Sequence, residues 1–225
     1  MKKLLYHGSN KIIEKPIFGF GKPYNDYGLG FYCTENNSLA KEWAVRETEN
    51  GYSNCYEIDT TNLSILNLND NNYNMLNWLT ILLQNREFSV SSDLALEGKE
   101  YLINNFNINY QDYDVIRGYR ADDSYFSYAL DFLNGTISYR KLCNAMKLGK
   151  IGEQFVLKSE KAFDSIKFIN AEIANYREWF KEKYKRDSNA RNDYFNSKKI
   201  KREKNDIFIL NILNEEIKND DPRLR

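Results

Sequence analysis

Short apolar runs broken by turn-forming residues dominate the first seventy positions, and helical spacing takes over after them. Lys2 to Tyr6 reads as a strand, closed by the turn-forming run Gly8-Ser9-Asn10. Residues 12–30 hold two of the three prolines, so that stretch is loop. Gly28-Leu29-Gly30 leads into Phe31-Tyr32-Cys33-Thr34, a second strand rich in β-formers. Asn37 or Ser38 can cap the next helix, whose apolar side carries Leu39, Trp43 and Val45. Tyr52–Asp59 and Leu63–Leu68 read as strands. Met75, Leu76, Leu79, Leu82 and Leu83 predict an amphipathic helix over 73–86 that ends near Asn85-Arg86.

A helix over 92–105 follows, then a strand from Tyr113 to Gly118. Asp122-Asp123-Ser124 suits the cap of a helix that Asn134-Gly135 stops after Leu133. Ser138–Leu148 reads as helix, and Glu153–Lys158 and Ile166–Ile169 as strands. Strands mixed irregularly with helices predict an α+β fold over residues 1–170. Beyond it Ile173, Tyr176, Phe180 and Tyr184 recur at helical intervals, so 171–225 reads as a helical extension with a disordered end at Asn219–Arg225.

Charge changes this picture only locally. Lys+Arg and Asp+Glu number 32 each, which argues against a wholly basic nucleic-acid binder. Residues 177–204, however, carry eleven Lys/Arg against five Asp/Glu, a net +6. That stretch is read first as a solvated helix face, and second as an attractor of RNA or DNA with Trp179, Tyr184 and Phe195 among its base-stacking candidates. No apolar run has the length of a membrane span, and the apolar stretch after Lys3 stops at His7, too short for a signal-peptide core. Three scattered cysteines, with no metal-ligand spacing, suit a reducing, cytoplasmic setting. No dinucleotide fingerprint or P-loop lies between a strand and a helix, which disfavours hydride transfer and nucleotide triphosphate hydrolysis.

The chemistry concentrates in three places. His7 is the only histidine, at a strand end beside Gly8 and Ser9. It reads as a structural hydrogen-bonding residue, or as a group gripping an amide or ribose hydroxyls where glycine permits close approach. Asp26-Tyr27-Gly28-Leu29-Gly30-Phe31-Tyr32 is an ordinary turn into a core strand, or a relaxed backbone beside a functional tyrosine. Glu153 and Gln154 open an apolar strand on opposite faces, so only one of them can enter a given pocket. Asp122-Asp123 can cap a helix or activate an acceptor, and Arg86 can cap a helix C-terminus or bind a pyrophosphate. Cys33 should face away from the side of Tyr32, which argues against a Cys–His hydrolase.

Taken in order, these segments resemble the His–Tyr–Glu signature of the ADP-ribosyltransferase superfamily. They are more closely similar to the bacterial family called domain of unknown function 3990. Tyr6–Ser9, Asp26–Thr34, Ala40–Ala44, Asn85-Arg86, Tyr113–Gly118 with Ala121–Asp123, and Gln154-Phe155 carry the likeness over about residues 3–170. The resemblance implies a split β-sheet core and NAD as co-substrate. His7 would hold the adenosine-side ribose, Gly8 the nicotinamide carboxamide, and Ser9 would support that end. Tyr32 and Trp43 would stack on the nicotinamide, each cationic face worth about 0.5–2 kcal/mol. Here the sequence departs from the signature: Gln154 stands directly before the apolar strand, with Glu153 one residue earlier. Gln154 is favoured as the pocket residue and Glu153 is its rival. The glutamine favours mono-ADP-ribosylation of a protein or nucleic-acid acceptor over polymer elongation. The role of toxin in a toxin–antitoxin or phage-defence pair, with an antitoxin as partner, stays open. So does a degenerate module that binds without turnover.

Overall fold

The computed structural model describes residues 1–225 except 88, 122, 149–151 and 200, and except the side chains of 123–125. The first half holds β1 (Lys2–Ser9), β2 (Phe31–Cys33), α1 (Asn37–Ala44), β3 (Gly51–Asp59), β4 (Ile65–Asn67), α2 (Met75–Asn85) and α3 (Asp93–Phe106). The second holds β5 (Val115–Tyr119), α4 (Asp123–Leu133), α5 (Tyr139–Ala145), β6 (Glu153–Leu157), α6 (Glu160–Asp164), β7 (Ile166–Ala174), α7 (Tyr176–Lys198) and α8 (Ile209–Asn214). The fold is α+β, as the irregular mixture predicts.

The strands form two sheets, β1-β3-β7 and β2-β6-β5-β4, antiparallel throughout except for the parallel pair β4–β5. One bridge joins them: Tyr6 donates to the Thr34 carbonyl at 2.8 Å, and Thr34 to that of Tyr6 at 2.9 Å. Leu5, Phe31, Tyr56, Ile58, Val115, Phe155 and Leu157 fill a core contributed by both sheets. A larger core covers the other face of the second sheet with Trp78, Leu79, Phe106, Tyr128 and Phe132.

α1 lies across the first sheet because glycine lets it. An added Cβ on Gly51 would stand 2.2 Å from the Ala44 carbonyl oxygen, and one on Gly8 would meet Ala40 equally hard. The cap of α1 is Asn36, whose side chain accepts from the Leu39 N–H, and not Asn37 or Ser38. Asn37 is free to accept a hydrogen bond from the Ser53 hydroxyl at 2.7 Å. α2 is buried at every position from Met75 to Leu83, so its expected polar face is absent. α3 and the C-terminal residues supply the cover: Asn77 donates to the Phe106 carbonyl, and Thr80 to that of Leu102. The expected cap at Asp122-Asp123-Ser124 lies outside the described residues and side chains.

The C-terminal part differs most from expectation. Ile173 belongs to β7, where it is exposed, and the helix begins only after the Asn175 cap. β7 thus runs through residue 170 as the third strand of the first sheet. Arg186 and Glu42, both mostly buried, pair at 2.7 Å and tie α7 to α1. Ile209, Ile212, Ile217 and Leu224 enter the larger core. The final residues are ordered rather than disordered: Asp221 caps a 3-10 turn over Pro222–Leu224, and Asn219 accepts from Asn74 and Asn77. No helix among the described residues is long and apolar enough to cross a membrane.

Candidate functional site

Past the Tyr6–Thr34 bridge, β1 and β2 part, and a cavity of about 450 Å³ opens between them. That volume lies in the range of small-molecule sites. His7, Gly8, Ser9, Tyr32, Trp43, Arg86 and Gln154 all line it, so seven of the eight residues singled out from sequence come together. Glu153 does not. It points to the other face of β6, pairs with Arg117 and accepts from Asn69 at 2.6 Å.

Each side chain is held for a visible reason. His7 Nδ1 lies 2.7 Å from the Tyr32 carbonyl oxygen. A carbonyl only accepts, so Nδ1 carries the proton and Nε2 keeps its lone pair. The ring stacks on Phe31 at 4.3 Å, and burial lowers the His7 pKa, keeping the imidazole neutral near pH 7. Tyr6 turns its peptide groups toward Thr34, so strand alternation turns those of Gly8 the same way, off β3 and toward the cavity side.

Tyr32 is pinned by its hydroxyl, which donates to the Gly28 carbonyl at 2.6 Å and accepts from the Tyr27 N–H at 3.1 Å. Cys33 faces the opposite core, as expected, and burial pushes its thiol far up. Trp43 comes from α1, and the Arg120 guanidinium lies 4.4 Å from its ring centroid. Gln154 Oε1 and Trp43 Nε1, buried atoms of cavity-lining residues, have no hydrogen-bond partner among the described residues. Such groups cost free energy unless a ligand or water meets them.

The loop between β1 and β2 is latched at four points. Asp26 pairs with Arg86 at 2.9 Å. Tyr27 donates to the Tyr119 carbonyl at 2.5 Å and fits over Gly118, where a Cβ would strike its hydroxyl at 2.4 Å. Gly28 has φ +72° and lies against Asn85. Lys158 donates to the Tyr27 and Leu29 carbonyls, both at 2.6 Å. Asn85-Arg86 is therefore the seat of this loop. The Arg86 Nε is spent on Asp26 and one terminal nitrogen on the Ala121 carbonyl, and the other terminal nitrogen has no hydrogen-bond partner among the described residues.

Asp26, Arg120 and Ala121 line the cavity, yet sequence reasoning did not single them out as site residues. Asp26 was visible only as the first residue of a motif. Its partners lie 60, 95 and 128 positions away, where no spacing rule reaches.

The profile of a family described as "Protein of unknown function (DUF3990)" matches residues 3–168, and the chain belongs to that family. No curated protein and no solved structure matches the chain. The matched region contains every cavity residue named above and ends inside β7.

Proposed function

We propose that this protein is a mono-ADP-ribosyltransferase that cleaves NAD and transfers ADP-ribose to a macromolecule. One observation carries the reading: His7, Gly8, Tyr32, Trp43 and Gln154, dispersed over 148 positions, surround one cavity that holds a buried amide oxygen with no partner among the described residues. A neutral His7 accepts a ribose hydroxyl at Nε2. The Gly8 peptide offers a donor and an acceptor, as a carboxamide requires. Tyr32 and Trp43 supply π faces for a pyridinium.

In the reaction the bond from ribose C1′ to the nicotinamide nitrogen breaks. Its electron pair leaves with neutral nicotinamide, and the ribosyl centre becomes oxocarbenium-like. An acceptor nucleophile then bonds to C1′ and releases its proton to solvent. Gln154 Oε1 accepts from the neighbouring ribose hydroxyl, a bond that strengthens as positive charge develops. An amide cannot act as a base, which fits transfer of a single unit. The basic surface of α7 supports a polyanionic acceptor, and a cytoplasmic toxin with an antitoxin partner is one setting in which such an enzyme would act.

The test is labelled NAD incubated with the protein and a cell lysate. The expected outcome is nicotinamide release and label transfer, both lost in His7→Ala. No release by the wild type would refute the enzyme. The amide at 154 is the observation that favours a non-catalytic module, and tight NAD binding without nicotinamide release would select that reading.

A further inference from the structure

Asp26 is 3% exposed, yet it lines the cavity. Its Oδ1 accepts from Arg86 Nε at 2.9 Å, and its Oδ2 from the Ala121 N–H at 2.8 Å and from Gln154 Nε2 at 3.3 Å. We propose that Asp26 is a positioning residue of the site. It fixes the Gln154 amide with its carbonyl toward the ligand and supplies the negative charge that a glutamine lacks. The inference rests on the reading of the cavity as an NAD-cleaving site.

The orientation follows from chemistry. An amide can be turned over, but Oε1 against the Asp26 carboxylate would set acceptor against acceptor. Nε2 must face Asp26, and Oε1 is the atom left buried and, among the described residues, unpartnered. A charged hydrogen bond to one end of an amide polarises the other, making Oε1 a stronger acceptor for a ribose hydroxyl. Burial raises the Asp26 pKa, but Arg86 and the Ala121 N–H both donate to it and Arg120 adds positive charge, all of which favour the carboxylate; Arg86 sits on the opposite oxygen, so the negative end of that pair faces Gln154. A carboxylate and an amide on two separate segments thus act in series. Asp26 need not touch the substrate.

The test is steady-state nicotinamide release and thermal melting for Asp26→Asn, Gln154→Glu and the double variant. Asp26→Asn should lower kcat about 10²-fold with KM changed less than about threefold, the pattern of a contact that matters in the transition state. Gln154→Glu should also lose activity, because two carboxylates at this distance cannot both ionise. The double variant exchanges the charge and should recover to within about tenfold of wild type, a non-additivity that two independent structural roles would not produce. Unchanged kcat in Asp26→Asn, a gain of activity in Gln154→Glu, or a double variant worse than both singles would overturn the proposal. Should Asp26→Asn fail to melt cooperatively, Gln154→Glu alone still decides, since activity at or above the wild-type level would overturn the proposal. A wild type that releases no nicotinamide sinks the enzyme reading itself, a different result from an active wild type indifferent to Asp26.

Discussion

A Cβ placed on Gly8 would stand 2.1 Å from the carbonyl oxygen of Ala40, so β1 and α1 meet backbone to backbone. The same added atom would lie 2.9 Å from the Cβ of Trp43. This contact sets the distance between the two walls of the cavity to which Gly8 and Trp43 belong.

Gly8→Ala must therefore push α1 off the sheet, since rigid backbone lies on the far side. The expected cost is about 1–3 kcal/mol, as for overpacking in a core. Denaturant unfolding measures it, and NAD affinity should fall with it as Trp43 shifts. Unchanged stability would mean that the helix yields freely.

His7 gives a pH dependence of defined sign. Burial lowers its pKa below 6.5, so between the two values the unfolded chain binds more protons than the folded one. Its contribution to stability is therefore unaffected near pH 7 and is lost as pH falls through 6.5 toward the folded value. Wild type should lose more melting temperature between pH 7 and pH 5 than His7→Gln does. NAD binding should weaken over the same range, because a protonated Nε2 can no longer accept the ribose hydroxyl. Parallel acid profiles for the two proteins would contradict this.

Lys158 behaves in the same sense at the other end of the scale. Burial lowers its pKa from 10.5 to about 8. Between those values the unfolded state again binds more protons, so this group's cost is full below pH 8 and fades toward pH 10.5. Wild-type stability measured against Lys158→Met should rise over that interval. At pH 7 Lys158→Met strands the Tyr27 and Leu29 carbonyls and should loosen the loop carrying Asp26, seen as faster amide exchange at 26–29.

Removal of residues 171–225 should abolish cooperative folding, although the family match ends at 168. It cuts β7 and strips Ile209, Ile212, Ile217 and Leu224 from the larger core. Circular dichroism melting and limited proteolysis read the outcome. A sharp transition in the truncated chain would show that the first 170 residues are self-sufficient.

The elements nearest the cavity were legible because local chemistry fixes them. Phe31-Tyr32-Cys33 is a strand by propensity, residues 12–30 a loop by proline and glycine, and α1 a helix by its apolar side, although its cap is Asn36 and not Asn37 or Ser38. Strand alternation separated Gln154 from Glu153, and Tyr32 from Cys33. The rest depends on distant partners. Ile173 shares helical spacing with Tyr176 and Phe180 but is claimed by pairing with Tyr52 in β3. The polar tail at Asn219–Arg225 looks soluble until Asn74 and Asn77 engage it and Leu224 is buried. Asp26 gives no sign in sequence that it joins Arg86 to Gln154.

Calorimetric titration of NAD into the wild type and His7→Ala tests the central assignment most directly. One-to-one binding by the wild type, weakened about tenfold or more without the imidazole, is the predicted result. Absence of any binding heat for the wild type at millimolar NAD, or equal affinity for both proteins, would contradict it.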